Sequence, residues 1–252
     1  MSSKYAEALP VDLLSPKGTK KFDELYFELR SQEKRVYTDE EVARLPHIGF
    51  AHVHYREWSV RAASAERLIA RLKKKDRTLA ILEIGCGNGW LSNRLALSVN
   101  GDVTGIDTNS PELQQAARVF GHVPNLAFIS GNASHFHFTS TFDVIVFAAS
   151  IQYFPSLSSI LDRAISLLNE GGEIHIIDSN FYAASEIDEA EQRSADYFRE
   201  QGFGEMSRHY HHHAWDTVRE FRHEILFDPH SLLNRLRRNK RPFPWVLIQS
   251  RK

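Results

Sequence analysis

At 252 residues, 42% of them hydrophobic and 25% charged, the chain is long enough to bury one substantial α/β core with elaborations. Its 31 basic and 32 acidic side chains leave a formal charge of −1, so no overall field favours nucleic acid or an anionic membrane. No apolar run has the length to span a bilayer, the first residues lack the apolar core of a secretory signal, and the single cysteine, Cys86, allows no internal disulfide; a soluble cytoplasmic protein is expected.

Residues 1–60 precede what a minimal nucleotide-binding domain needs and read as an N-terminal helical cap. Within it Phe22, Leu25, Tyr26 and Leu29 share one helical face, and Thr38 opens a short capped helix that ends before Pro46. Residues 55–75 form a long amphipathic helix. Its start, with Tyr55, Trp58 and Arg61, belongs at the ligand end of the following strand, and its basic tail reads as a solvated face.

The run Leu79-Ala80-Ile81-Leu82-Glu83-Ile84 then breaks into Gly85-Cys86-Gly87-Asn88-Gly89-Trp90 and resumes as Leu91-Ser92-Asn93-Arg94-Leu95, the pattern of strand, glycine turn and helix. Alternate glycines let the backbone turn sharply and approach a ligand, while the helix start aims unpaired N–H groups at it. The dinucleotide fingerprint G-x-G-x-x-G is not met, because the third glycine arrives one residue early, at Gly89, and Trp90 stands in its place. Glu83 would repel a nearby pyrophosphate and suits a cationic group, directly or through water.

The second strand ends in Asp107, where a carboxylate is placed to accept both ribose hydroxyls of a nucleoside; an N-cap or turn role ahead of Ser110-Pro111-Glu112 is the other reading. Residues 126–130 give a third strand that closes on Gly131-Asn132-Ala133. The almost unbroken apolar run 142–149 reads as a central parallel strand covered on both faces. Gln152 and Tyr153 leave its C-terminal end, the edge where open α/β sheets bind ligands. A helix over 158–168, Gly171-Gly172 and a strand over 173–178 follow. Residues 179–203 suggest a lid-like inserted helix, and His209, Tyr210, His211, His212 and His213 come next, ahead of a short helix and a strand at 223–227. A basic loop, 235–241, precedes the last strand, 245–249.

The run Glu83-Ile84-Gly85-Cys86-Gly87-Asn88-Gly89 resembles the first motif of class I S-adenosylmethionine-dependent methyltransferases, an acidic residue followed by alternating glycines. The resemblance covers residues 79–249. It implies a doubly wound, Rossmann-like seven-stranded sheet, mostly parallel with an antiparallel last strand, occupying 61–252, with a lid-like insertion at about 180–213 and the helical cap over 1–60. It also implies S-adenosyl-L-methionine as cofactor. The cofactor-binding set would be Glu83, Gly85, Cys86, Gly87, Asn88, Gly89, Asp107, Thr108, Asn132, Ala133, Ala148 and Ala149, with Asn132 standing where an aspartate commonly meets the adenine amine. Tyr26, Tyr55, Gln152 and Tyr153 are the substrate-binding candidates, for a small molecule.

A base is optional in methyl transfer, and Tyr210, His211, His212 and His213 are the catalytic candidates, with His175 a further histidine of suitable type. His209, His211 and His213 match no familiar zinc spacing, so no metal is expected. Two rival functions remain at this point: a non-catalytic cofactor-binding partner subunit, and a nicotinamide-dependent oxidoreductase, which Glu83 and the glycine spacing disfavour. Sequence leaves the substrate, the methylated atom and the oligomeric state open.

Overall fold

Apolar strands alternate their side chains between two faces, and that alternation divides the interior of this protein into two cores. The computed structural model describes residues 22–231, Asn234 and 242–251. At its centre β1 (Leu79–Ile84) pairs in parallel with β4 (Phe142–Ala148), with Ile81 opposite Val144 and Leu82 opposite Ile145. Leu79, Ile81, Val144 and Val146 face one core, and Leu82, Ile84, Ile145 and Phe147 face the other. Helix α3 (Tyr55–Lys73) and α4 (Trp90–Ser98) cover the first core, α6 (Leu157–Ser166) and α8 (Trp215–Arg219) the second.

The remaining strands are β2 (Gly101–Asp107), β3 (Leu126–Ser130), β5 (Leu168–Ile177), β6 (Phe221–Phe227) and β7 (Trp245–Arg251), with α5 (Ser110–Phe120) between β2 and β3. They form one seven-stranded sheet in the order β3-β2-β1-β4-β5-β7-β6. The pairings from β3 to β5 are parallel, and β7 inserts antiparallel between β5 and β6. This is the doubly wound sheet with an antiparallel last strand that the resemblance implies. The order reverses between β1 and β2 on one side and β4 on the other, so the carboxyl ends of β1 and β4 flank a crevice.

Element boundaries move where local chemistry competes with periodicity. Helix α6 stops at Ser166, and β5 starts at Leu168 rather than near Glu173, with a register shift between Phe142 and Val144 of its partner strand absorbing the glycine pair. Helix α5 begins at Ser110 because Asn109 caps it, its side-chain oxygen accepting from the Glu112 amide at 3.1 Å. The long helix expected over 179–203 is α7 (Ile187–Glu200), entered through a short 3-10 turn, Ala184–Glu186, and followed by another, Gly204–His209.

Ahead of the sheet lie α1 (Phe22–Gln32) and α2 (Asp39–Arg44), the latter held by a capping box between Thr38 and Glu41. Leu25 and Leu29 of α1 bury themselves against Phe198 of α7 and Met206, making a third, small core separate from the other two. Hydrogen bonds from Gln32 to the Gln201 carbonyl (2.9 Å) and from the Tyr197 hydroxyl to Glu33 (2.5 Å) tie the same pieces together. Among the described residues no helix is long and apolar enough to cross a membrane.

Leu82 is wholly buried where β1 meets the second core. Leu82→Ala should lower the unfolding free energy by about 2–5 kcal/mol. Urea denaturation should show this as a lower midpoint with an unchanged slope.

Candidate functional site

The turn after β1 is shaped by what presses on it. Gly85 has φ 77°, and a Cβ there would lie 2.4 Å from the Ser150 Cβ, where the chain leaves β4. The Ser150 hydroxyl donates to the Ile84 carbonyl at 2.6 Å, fixing that contact. Gly89, the left-handed residue that precedes α4, would strike the Phe128 ring at 2.6 Å. At Gly87 (φ 51°) an added Cβ would meet the end of the Glu112 side chain alone, at a tight 3.1 Å. The Gly87 amide donates to Asp107 Oδ2 at 2.7 Å, linking the turn to the tip of β2.

Four carboxylates gather around this turn. Glu83 is buried with its Oε2 accepting from the Ser92 hydroxyl at 2.5 Å, and burial pushes its pKa up to about 8. Asp107 accepts from the amides of Gly87 and Asn109, at 2.7 and 2.8 Å, and burial raises it as well. Burial lifts Glu112 to about 7 and Asp178 to about 6, the latter while accepting from the Ser64 hydroxyl at 2.6 Å. Each oxygen that accepts one hydrogen bond keeps a second lone pair, so Glu83, Glu112 and Asp178, which line the cavity below, can still receive a ligand donor. Ala149 (φ 54°) and Asp178 (φ 55°), just past β4 and β5, hold left-handed backbone that costs a non-glycine residue about 1–2 kcal/mol. Both residues line the cavity that opens here.

That cavity measures about 710 Å³, within the range of small-molecule sites. Its cationic wall comes from outside the sheet. Arg61 of α3 lies over the Trp58 ring, 5.4 Å from its centroid, and pairs with Glu57 at 3.0 Å; Arg35 also pairs with Glu57. Trp58 is fixed by its Nε1 donating to the Tyr37 hydroxyl at 2.8 Å. The opposite wall is aromatic. Tyr26 of α1 meets Tyr153 edge-on at 5.5 Å, and Tyr153 meets Tyr210 at 5.8 Å.

Of the residues singled out in the sequence, Glu83, Gly85, Cys86, Gly87, Asn88, Ala148, Ala149, Tyr26, Gln152, Tyr153, Tyr210, His211 and His212 line this cavity. Gly89 and Asp107 stand behind its wall, Gly89 packed on Phe128 and Asp107 bonded to Gly87. Helix α1 covers Thr108, whose hydroxyl donates to Asp23 at 3.1 Å. Asn132 is exposed and engaged with the Ser134 amide at 3.0 Å, beside buried Ala133. Tyr55 is not brought to the cavity: it is 41% exposed at the start of α3, and the next residues, Arg56, Glu57 and Trp58, take up the wall. His213 is turned away and buried, its Nε2 donating to the Ile151 carbonyl at 3.0 Å. His175 lies inside the sheet between Glu173 and the Trp245 indole.

His211 and His212 thus differ from their neighbour. Burial depresses both, so each is neutral and basic at pH 7. His212 Nε2 pairs with the Ser194 hydroxyl at 3.0 Å, and its buried Nδ1 has no partner. Burial also raises the Cys86 thiol well above its ordinary value, which keeps it protonated and unreactive. Among the described residues no three His, Cys, Asp or Glu side chains converge as a metal site. The basic loop 235–241 and the cap residues 1–21 lie outside the described residues.

Sequence reasoning assigned no role to Arg30, Glu112 or Asp178, all of which line the cavity. Asp178 carried a readable signal, an acid at the carboxyl tip of a parallel strand. Glu112 read as a helix-start residue, and nothing in the chain order announces that Arg30 reaches the same space.

A model of a methyltransferase domain matches residues 75–225. Trans-aconitate 2-methyltransferase of Enterobacter sp. (strain 638) is 33% identical over 120 residues, which are 46% of this chain and 45% of that protein. Malonyl-(acyl-carrier protein) O-methyltransferase of Halalkalibacterium halodurans is 29% identical over 132 residues, 48% of this chain and 49% of that one. The chain therefore spans about half the length of the curated relatives it matches. The crystal structure of magnesium protoporphyrin IX methyltransferase from Synechocystis PCC 6803, with bound S-adenosylmethionine, superposes with a TM-score of 0.57 at 12% identity, covering 94% of this chain and 100% of that one. Plantazolicin methyltransferase gives 0.55 at 18% identity, covering 91% and 97%. These likenesses show a shared fold. The domain match runs from just before β1 into β6 and takes in more than half of the sequence, and the chain belongs to the methyltransferase domain family.

Proposed function

We propose that this protein moves a methyl group from S-adenosylmethionine to a small molecule held in the cavity, enclosed by the cap (1–60) and the insertion at about 180–213 over the domain 61–252. The observation that carries the reading is the meeting of the left-handed glycine turn, through Gly85 and Gly87, with Glu83 and Asp178 at one cavity. When bound, the cofactor supplies a methyl on a sulfonium whose leaving group is a neutral thioether.

The chain's own work is to hold both molecules in line. Asp107 receives the ribose hydroxyls, Thr108 and Ala133 flank the base, and Asn132 meets its amine. Glu83 and Asp178 offer carboxylates to cationic groups, and the backbone at Gly85, Gly87, Ala148 and Ala149 approaches the amino-acid tail. The pocket fits these groups in charge: Glu83, raised to about 8, holds a proton at neutral pH that it can release to a cation, and Asp178, at about 6, is mostly ionised there. Gln152, Tyr153, Tyr26 and Tyr210 shape the acceptor side. His211 and His212, neutral in the cavity wall, accept a proton from a hydroxyl or ammonium acceptor.

Calorimetry with S-adenosylhomocysteine should detect binding to the wild type, and Asp107→Ala should weaken it by at least about tenfold, or ~1.4 kcal/mol. Absence of wild-type binding, with NADH bound instead, would sink the reading.

The acids also set a pH dependence. Folded Glu83 keeps its proton to about pH 8, far above the ordinary 4.5, so the folded protein binds more protons than the unfolded chain between these values. Stability of the unliganded protein therefore falls as pH rises through that window, and the affinity for a cationic ligand rises over the same window. Melting temperatures measured from pH 5 to 8 with and without S-adenosylmethionine should converge at the acid end and diverge towards pH 8, with Glu83→Gln flattening both trends.

For an acceptor that needs deprotonation, His211→Ala or His212→Ala should lower kcat by about 10²-fold or more and remove an acid limb below pH ~6.5. Labelled-cofactor turnover against pH distinguishes this from a loss of affinity, which would move KM alone.

A further inference from the structure

One group in the cavity is held for a ligand that neither the sheet nor the cap supplies. Arg30 extends from α1 with its Nε buried and without a hydrogen-bond partner. Its nearest counter-charge is Glu33, a long 3.8 Å from Nη1. Its guanidinium lies 5.5 Å from the Tyr26 ring centroid. The charged and titratable groups that act on it are Tyr26 and Glu33 from its own end, Glu112 from α5 and Tyr153 from the turn after β4. Among the described residues neither the Tyr26 nor the Tyr153 hydroxyl makes a hydrogen bond, though their rings touch edge-on at 5.5 Å. A guanidinium with an unpartnered Nε and two phenols without a hydrogen bond among the described residues thus border one cavity.

We infer that the methyl acceptor carries a carboxylate, docked on the Arg30 guanidinium between the hydroxyls of Tyr26 and Tyr153. The inference rests on the methyltransferase reading of the cavity. A guanidinium fork matches the two oxygens of a carboxylate, and phenols add donors at its flanks. The cofactor's own carboxylate has a different cation available. Arg61 acts on Glu83 and Asp178, the acids at the tips of β1 and β5, although both arginines act on Glu112 and Tyr153. Tyr26, Tyr153, Tyr210 and Phe198 line that wall with rings set edge to face, which favours an acid with an apolar or unsaturated body. The buried Arg30 charge also rejects a neutral isostere, which would strip its water and return no partner.

The test uses the full chain saturated with S-adenosylhomocysteine, titrated with benzoate and with benzamide and followed by ligand-observed NMR. Benzoate should bind at least about tenfold more tightly than benzamide. Arg30→Gln should bring the two within about threefold, Arg30→Lys should keep part of the preference, and Tyr153→Phe should weaken benzoate alone. Equal binding of acid and amide to the wild type overturns the inference, as does an undiminished preference in Arg30→Gln. Should Arg30→Gln fail to fold, the wild-type comparison and Tyr153→Phe decide between the same outcomes. If Arg30→Gln weakens S-adenosylhomocysteine about tenfold while leaving 5′-methylthioadenosine unchanged, Arg30 serves the cofactor's carboxylate and the inference falls. Selective benzoate binding by a protein that takes up no S-adenosylhomocysteine supports the cradle and removes the methyltransferase reading.

Discussion

Parallel strands deliver their carboxyl ends to one edge, and here that edge collects negative charge. Glu83 ends its work in β1 next to the turn, Asp107 closes β2, Asp178 follows β5, and Glu112 arrives with α5. The two central strands contribute no cation to offset them. Burial answers part of this crowding by pushing protons onto the acids, and elements outside the sheet answer the rest. Arg30 comes from α1 and Arg61 from α3, and both act on Glu112. The N-terminal helices therefore complete an electrostatic site that the sheet leaves lopsided, besides covering it.

The cap could not stand by itself. Helix α1 has 11 residues and buries two leucines, too little to hold a helix in water. It borrows Phe198 and Met206 from the segment after β5, and the small core they share is supplemented by the Gln32–Gln201 and Tyr197–Glu33 hydrogen bonds. Two stretches of chain far apart in sequence are stabilised by each other, and the cavity lies beneath the seam. The packing of α1 and the placement of Arg30 are consequently one event: a change that loosens Phe198 or Met206 also moves the guanidinium.

Much of the sheet was legible because its strands are buried on both faces and read as apolar runs. The β1 to α4 crossing was legible for a different reason, since the tight contacts of Gly85 with Ser150 and of Gly89 with Phe128 exclude any side chain. Gly85 and Gly89 are required by the protein's own packing, and Gly85 and Gly87 also line the cavity. Tyr55 and His213 show the limit of placement by chain order. A one-residue step along a helix rotates a side chain about 100°, so Tyr55 faces out while Glu57 and Trp58 face in. His213, one residue past two cavity-lining histidines, is captured by the Ile151 carbonyl. Arg30 was invisible because its neighbours in space, Glu112 and Tyr153, lie some 80 and 120 residues away in the chain.

The aromatic wall gives the arginines their consequence. A guanidinium in open water is well solvated, and an exposed ion pair adds little. Arg30 instead has its Nε buried, with the guanidinium over the Tyr26 ring, where an unmet donor costs the protein free energy. A ligand that brings two carboxylate oxygens removes that cost, and one that brings a neutral group of the same shape deepens it. Selectivity in such a site comes more from the penalty on the wrong ligand than from attraction to the right one. The same logic holds elsewhere in the cavity, where Glu83 holds its proton at neutral pH until a cation arrives. Acids and arginines lining one cavity can thus orient two molecules at once, one by its cationic end and the other by its acid, leaving the reacting atoms to meet between them.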